Sequence, residues 1–193
     1  VPDYMSNVPI GAHYGWPWIY YGDVIDERVD APMERFLIEY TRKPEYALGA
    51  HAAALGLVFT EEGTRMGPGF GQGAFIARHG SWNRSPAAGY DLVFVEFDER
   101  GNPIGAPRQV LQSFLTGDGE TFGRPTWLEW DRTGALLLSD DTGNIIWRVT
   151  APGAEGAPAI QRNSGAALPP RGQLQGDPAR AFDEGAISPQ DIM

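Results

Sequence analysis

The residues best equipped for chemistry fall in one block, His79-Gly80-Ser81-Trp82-Asn83-Arg84, within the stretch Gly73–Gly89. His79 and Asn83 can each donate and accept hydrogen bonds, Arg84 carries a rigid fork of donors, and Trp82 offers a flat indole face. Together they suit a planar ligand that bears several anionic groups. The same residues also describe a plain hairpin loop, opened by Gly80, with Asn83 and Ser85 satisfying the backbone and Trp82 packed over it. Composition alone favours that plainer reading.

Other candidates lie outside the block. Arg124 stands between Gly123 and Pro125 just ahead of an apolar segment, where it would reach the same end of a sheet as His79. It could grip a carboxylate through two parallel bonds or pair with one of many surface acids. His51 sits among the small residues of Leu48–Gly56, which allow close approach of a ligand or of neighbouring backbone; a histidine capping a tight turn reads equally well. The third histidine, His13, lies in a glycine-rich loop, and the spacing of the three matches no compact zinc motif. Asp140 and Asp141 invite a calcium or acid–base role, but Asp-Asp-Thr-Gly-Asn is first of all a turn between strands. Ser81 has no base and orienting acid in sequence reach. Gly67–Gly73 lacks the lysine and following helix of a phosphate loop.

The elements that must position these side chains read as β-strands. Apolar, β-branched and aromatic runs at Ala54–Phe59, Ala74–Arg78, Tyr90–Phe97 and Arg108–Leu115 form one meander of four strands. A second, shorter series follows at Arg124–Trp130, Ala135–Ser139 and Ile145–Thr150. In both series an apolar second strand ends in polar residues. Radial repetition of a small sheet is the signature of a β-propeller, and two such units cannot close a ring. Ahead of them, the crowded aromatics of His13–Gly22 are expected to bury in a loop that turns into a strand, and Asp23–Tyr46 reads as a surface excursion. Residues 1–151 are therefore a partial all-β propeller. Residues 152–193, rich in Ala, Gly, Pro and Gln, read as an extended tail in which only Ala159–Arg162 and Ala186–Ile187 offer a strand or an anchor.

Bulk properties narrow the function classes. The 193 residues carry 25 Asp and Glu against 15 Lys and Arg, with no basic stripe, so nucleic acid is not an expected partner. No apolar run is long enough to span a bilayer. Cysteine is absent, which rules out disulfides and thiolate metal sites on this chain. Gly and Pro make up about a fifth of the residues, in keeping with many short strands joined by turns. The sequence begins in mid-phrase at Val1-Pro2-Asp3 and reads as a processed or truncated product.

Several blocks, in this order, carry a resemblance: Tyr14-Gly15-Trp16-Pro17; Leu48-Gly49-Ala50-His51 with Leu55-Gly56-Leu57; Gly73-Ala74-Phe75-Ile76 through His79–Arg84; and Gly123-Arg124-Pro125 before Asp140-Asp141. Over Pro2–Thr150 the chain resembles the sorbosone dehydrogenase family, relatives of the soluble quinoprotein glucose dehydrogenases. That resemblance implies a six-bladed propeller, of which this chain supplies roughly the last two to three blades. It implies pyrroloquinoline quinone (PQQ) with calcium at the mouth of the channel, oxidation of an aldose or sorbosone-like sugar, and transfer of electrons to an acceptor. On this basis His79 and Asn83 contact the quinone, Arg124 pairs with one of its carboxylates, and the His51 turn lines the same mouth, with Trp82 and Arg84 beside it. The flat ring and three carboxylates of PQQ agree with the donor set read from the residues.

The same resemblance places the catalytic histidine base and the calcium ligands in earlier blades, N-terminal to this chain. No catalytic residue and no metal ligand is therefore assigned here, and a complementary N-terminal half or a larger assembly is an expected partner. Family members are mostly exported, which implies a periplasmic or secreted location. A different class of reading is a non-catalytic half-propeller acting as an accessory or structural subunit, docking through its open edges and tail. A lactonase-type propeller hydrolase would need a carboxylate and Asn cluster around a metal, which the sequence offers only within turns.

Overall fold

The computed structural model describes residues 1–154. It is all-β apart from one short helix, with eleven strands in four antiparallel sheets. The centre is a four-stranded meander of β5 (Ala54–Phe59), β6 (Gly73–Arg78), β7 (Asp91–Phe97) and β8 (Pro103–Leu111), paired in sequence order. A second meander follows, formed by β9 (Pro125–Trp130), β10 (Leu136–Asp140) and β11 (Ile145–Val149). β1 (Pro2–Met5) and β4 (Tyr46–Ala50) form a two-stranded sheet, and β2 (Ile19–Tyr20) and β3 (Val24–Ile25) a small ribbon. α1 (Phe36–Tyr40) is a single turn or so, tucked in by buried Leu37.

The central sheet is buried on both faces, which is why β6 and β7 read as continuous apolar runs rather than alternating ones. On one side Phe75, Ala77, Leu92 and Phe94 join Leu128, Trp130, Leu136 and Leu138 of the β9–β11 sheet in a shared core. On the other, Ala74, Ile76, Val93 and Val95 pack with Leu48 of β4, and Met5 and Tyr46 close the edge. Successive residues of β6 thus point into different cores. Phe75 and Phe94 lie 4.9 Å apart between ring centroids and Phe75 meets Trp130 edge-on at 5.6 Å, which ties the two meanders together.

Gly56 sets how closely the meanders approach. A Cβ there would lie 2.7 Å from the Thr126 carbonyl oxygen and 2.8 Å from the Trp127 Cα, so the first strands of the two meanders touch backbone to backbone. No side chain fits between them.

The hairpins share one chemical device. Asp98-Glu99-Arg100-Gly101, Asp131-Arg132-Thr133-Gly134 and Asp140-Asp141-Thr142-Gly143 each begin with an aspartate whose side chain accepts backbone N–H bonds from the turn it opens. This is local Asx chemistry, repeated at three hairpins.

Two expectations need correction, those for β8 and for the aromatics of His13–Gly22, while β1 and the short elements within Asp23–Tyr46 add to the strands read from the sequence. β1 is a strand, although Pro2-Asp3-Tyr4-Met5 has no strand pattern of its own; its pairing with β4 defines it. β8 begins at Pro103 rather than Arg108 and ends at Leu111, since an edge strand tolerates Pro103, Pro107 and two register shifts. The aromatics of His13–Gly22 do not all bury: Ile19 is enclosed, but Trp16 is 85% exposed and the tyrosines are half-buried. A two-residue ribbon has too little area to cover so many rings. Finally, Asp23–Tyr46 is not wholly irregular, holding β3 and α1. The tail read at 152–193, with Ala159–Arg162 and Ala186–Ile187, lies outside the described residues beyond a terminal turn at Ala151–Ala154.

Gly56→Ala is expected to destabilise the fold by about 2 kcal/mol, because rigid backbone stands where the methyl must go. Gly69→Ala, which meets nothing within 4 Å, should stay within about 0.5 kcal/mol of the wild type. Urea unfolding followed by tryptophan fluorescence compares the two.

Candidate functional site

One end of the stacked sheets gathers the ends of β6 and β10, the starts of β5 and β9, and the β4–β5 turn. The loop after β6 is fastened there from several sides. The His79 and Gly80 amides donate to the Ala53 and Ala52 carbonyls at 2.9 Å each. Ser81 N–H donates to the Ala88 carbonyl, and Ala88 N–H returns a bond to Ser81 Oγ at 3.0 Å. The Tyr90 hydroxyl donates to the Ser81 carbonyl. Buried Ser81, rather than Asn83 or Ser85, is therefore the residue that staples the loop backbone. Gly80 adopts φ +102° against the face of the Tyr90 ring, where a Cβ has no room.

Beneath the loop lies a buried ion pair. Arg78 donates from Nε and Nη2 to the two Asp91 oxygens at 2.7 and 2.5 Å, and from Nη1 to the Leu48 carbonyl at 2.9 Å. It joins β6, β7 and β4 directly below His79.

Arg124 reaches into the same loop from the start of β9. Its Nε donates to the His79 carbonyl at 3.1 Å and its Nη2 to the Gly80 carbonyl at 2.5 Å, with the guanidinium 5.3 Å from the Tyr90 ring centre. A guanidinium has five N–H groups, so three remain for a ligand once these two bonds are made. The Arg124 amide is held in turn by Asp140, whose carboxylate is buried and also accepts from Thr142 N, Gly143 N and Trp147 Nε1. Burial pushes the Asp140 carboxyl up, but these donors together outweigh it and hold it below the ordinary carboxylate value. Asp140 is a turn-former, as the sequence suggested. Its neighbour Asp141 does something else: both of its oxygens lie 3.1 Å from His79 Nε2.

The candidate residues fall into two adjoining groups. His51, Trp82 and Asn83 line a cavity of about 200 Å³ with Asp3, Ala53, Gly80 and Ser81. His51 and Ala53 are in the left-handed region at φ 57° and 51°, a strained turn that the Asp3 carboxylate secures through Ala53 N at 2.8 Å. His79, Arg124 and Asp141 form the second group, joined to the first through the Gly80 backbone. Trp82 is 87% exposed, so it does not pack over the loop and its face is available. Arg84 is turned toward the β4–β5 turn, donating to the Ala50 carbonyl. His13 stands apart, its Nδ1 accepting from Gly15 N.

Sequence reasoning passed over Asp3, Tyr90 and the Arg78–Asp91 pair as site residues, and for Asp141 set a calcium or acid–base role beside a turn without linking it to His79. The repeated Asp-x-x-Gly pattern was a usable signal: with the first aspartate of each turn committed to the backbone, Asp141 is left over. Among the described residues no group of three or more His, Cys, Asp or Glu is placed to hold a metal ion, and no helix is long and apolar enough to cross a membrane.

Stacked antiparallel sheets that gather polar loops at a common end are consistent with a β-propeller-like fold. Residues 34–151 match the family described as TrAA12-like, and the chain belongs to it. It is 32% identical over 130 residues to the pyrroloquinoline quinone-dependent pyranose dehydrogenase of Coprinopsis cinerea, covering 57% of this chain and 17% of that enzyme. An uncharacterised protein of Borreliella burgdorferi is 38% identical over 104 residues, covering 54% and 27%. The chain thus spans about a quarter or less of these relatives. The same fold is found in a calcium structure of the Trichoderma reesei carbohydrate-active enzyme of family AA12, with TM-score 0.54, 24% identity, and coverage of 70% of this chain and 38% of that one. The holo PQQ domain of the Coprinopsis cinerea pyranose dehydrogenase gives TM-score 0.52, 22% identity, and coverage of 74% and 41%.

Because its carboxyl titrates low in the folded state, Asp140 stabilises the fold fully above its ordinary value of about 3.9 and loses that contribution as pH falls through the lower folded-state value. The unfolding midpoint in urea should therefore drop on acidification below about pH 5. In Asp140→Asn the drop should be shallower, on top of a lower midpoint at neutral pH, with the remaining slope owed in part to Asp131, which is depressed for the same kind of reason.

Proposed function

We propose that the chain is the C-terminal part of a PQQ-dependent sugar oxidoreductase, contributing three blades of a six-bladed ring through the β1–β4, β5–β8 and β9–β11 sheets. The observation that carries this reading is convergence: at one end of the stack His51 and Asn83 line a cavity with the exposed Trp82, and His79 and Arg124, held from separate sheets, adjoin it through the Gly80 backbone. The donor set fits PQQ. Arg124 keeps free N–H groups for a carboxylate, Asn83 and the imidazoles supply further bonds, and Trp82 offers a face for a flat ring. The nearby carboxylates do not spoil the fit, since Asp3 is committed to Ala53 N and Asp141 to His79.

When bound, PQQ would supply two-electron acceptance from a sugar hydroxyl. The residues of this chain would grip and orient it, Arg124 doing so while holding the loop that carries His79 and Asn83. A catalytic base and calcium ligands would come from blades outside this chain. The similarity to a pyranose dehydrogenase supports a sugar substrate, and the narrower resemblance to sorbosone dehydrogenases adds aldoses or sorbosone-like sugars. An electron acceptor and a periplasmic or secreted location complete this reading.

A second reading, an accessory half-propeller, is favoured by the outer face of the β9–β11 sheet. There Trp127 and Ile146 are 61% and 70% exposed, as a face awaiting another sheet would be. Both readings need a complementary part.

PQQ with calcium, titrated into the chain alone and with the preceding segment of a TrAA12-like relative, tests the choice through the quinone's absorbance. Saturable binding is expected in the reconstituted pair, weakened in His79→Ala and, as for loss of a hydrogen bond to a charged group, about tenfold or more in Asn83→Ala. Dye reduction with aldoses should appear in the same pair. Absence of binding in both states would overturn the dehydrogenase reading in favour of the accessory one.

A further inference from the structure

We propose that Asp141 is a positioning residue for His79, one that fixes which ring nitrogen His79 presents to a ligand. The inference rests on the reading above, in which His79 contacts the bound quinone.

His79 is held at three points by three different elements. Its amide is bonded to the Ala53 carbonyl ahead of β5 at 2.9 Å, its carbonyl accepts from Arg124 Nε at the start of β9, and its Nε2 meets both Asp141 oxygens at 3.1 Å in the β10–β11 turn. The side chain of His79 is only 18% exposed, while that of Asp141 is 56% exposed. The first two contacts fix the backbone but leave the imidazole free to turn about its side-chain bonds. Asp141 removes that freedom.

It also decides the tautomer. An ionised carboxylate only accepts hydrogen bonds, so the nitrogen facing it must carry the proton. In the neutral ring Nε2 is then the donor and Nδ1 is left with the lone pair. In that neutral form His79 offers a bound molecule an acceptor, suited to an N–H or O–H group, whereas a ring free to flip would offer either nitrogen. The same logic, a carboxylate setting the tautomer through the far nitrogen, governs histidines at metal sites.

Asp141 is itself held in place. Asp140, one residue earlier, is tied by four hydrogen bonds to Arg124 N, Thr142 N, Gly143 N and Trp147 Nε1. Paired aspartates thus divide the work: the first anchors the turn and the arginine backbone, and the second orients the histidine. Among the described residues the Asp141 carboxylate accepts no backbone N–H of the turn, only a long bond from Thr142 Oγ1 at 3.4 Å beside His79, so its removal should leave the fold intact.

Nitrogen-15 NMR of the histidine-labelled chain tests the claim without any cofactor, with His79 assigned through His79→Gln. At alkaline pH, where a histidine ring is neutral, the wild type is expected to show His79 protonated at Nε2, Asp141→Ala a shift toward a mixture of tautomers, and Asp141→Glu a return toward the wild-type pattern. PQQ binding in the reconstituted protein should weaken about fivefold in Asp141→Ala, recover in Asp141→Glu, and be no worse in the double variant with His79→Ala than in His79→Ala alone. An unchanged tautomer in Asp141→Ala, or additive losses in the double variant, would overturn the proposal. If no variant binds PQQ, the dehydrogenase reading fails, and the NMR result alone decides whether Asp141 positions His79.

Discussion

The Arg124 guanidinium, bonded to two successive carbonyls of the loop after β6, is the contact on which the site depends. It bridges the two meanders at the end that carries His79 and Asp141. Carbonyls of a loop that leaves a sheet lack ladder partners, and an arginine from the next sheet satisfies them while keeping donors to spare. The bond is charge-assisted and half-buried, so it is stronger than the same contact would be in open water. The Arg78–Asp91 pair performs the matching task one residue below, anchoring the end of β6 to β7 and β4.

This arrangement rests in turn on close stacking of sheets. Burial of β6 and β7 on both faces leaves no slack for the loop ends to shift, and Gly56 lets β5 and β9 meet at backbone distance. Bulky residues fill the wide part of the gap, where Phe75, Phe94 and Trp130 interlock. Absence of a side chain serves the narrow part. A wedge shaped in this way suits sheets arranged around an axis, in keeping with the fold shared with the AA12 and pyranose dehydrogenase structures.

Turn chemistry connects this scaffold to the site. The aspartates at 98, 131 and 140 each close a hairpin by accepting backbone N–H bonds, which is routine. At the third of these turns the residue next to the routine aspartate is a second acid. That single addition converts a structural turn into one that also addresses His79.

Strand order, the two meanders and the polar block after β6 were legible in the sequence because each depends on local pattern: apolar runs, turn residues and their alternation. The β5 bounds, Ala54–Phe59, emerged unaltered. β1, the early start of β8 and the exposure of Trp16 were not legible, since each depends on what lies alongside in space. In the site, the sequence named the residue types that could bind an anionic planar ligand. It could not show that Arg124 already serves two carbonyls, that Arg84 turns toward Ala50, or that Asp141 sits against His79 across 62 positions of chain. Hydrogen bonds between elements far apart in sequence carry no periodic signature. Which donors are left for a ligand was settled only when the sheets stacked.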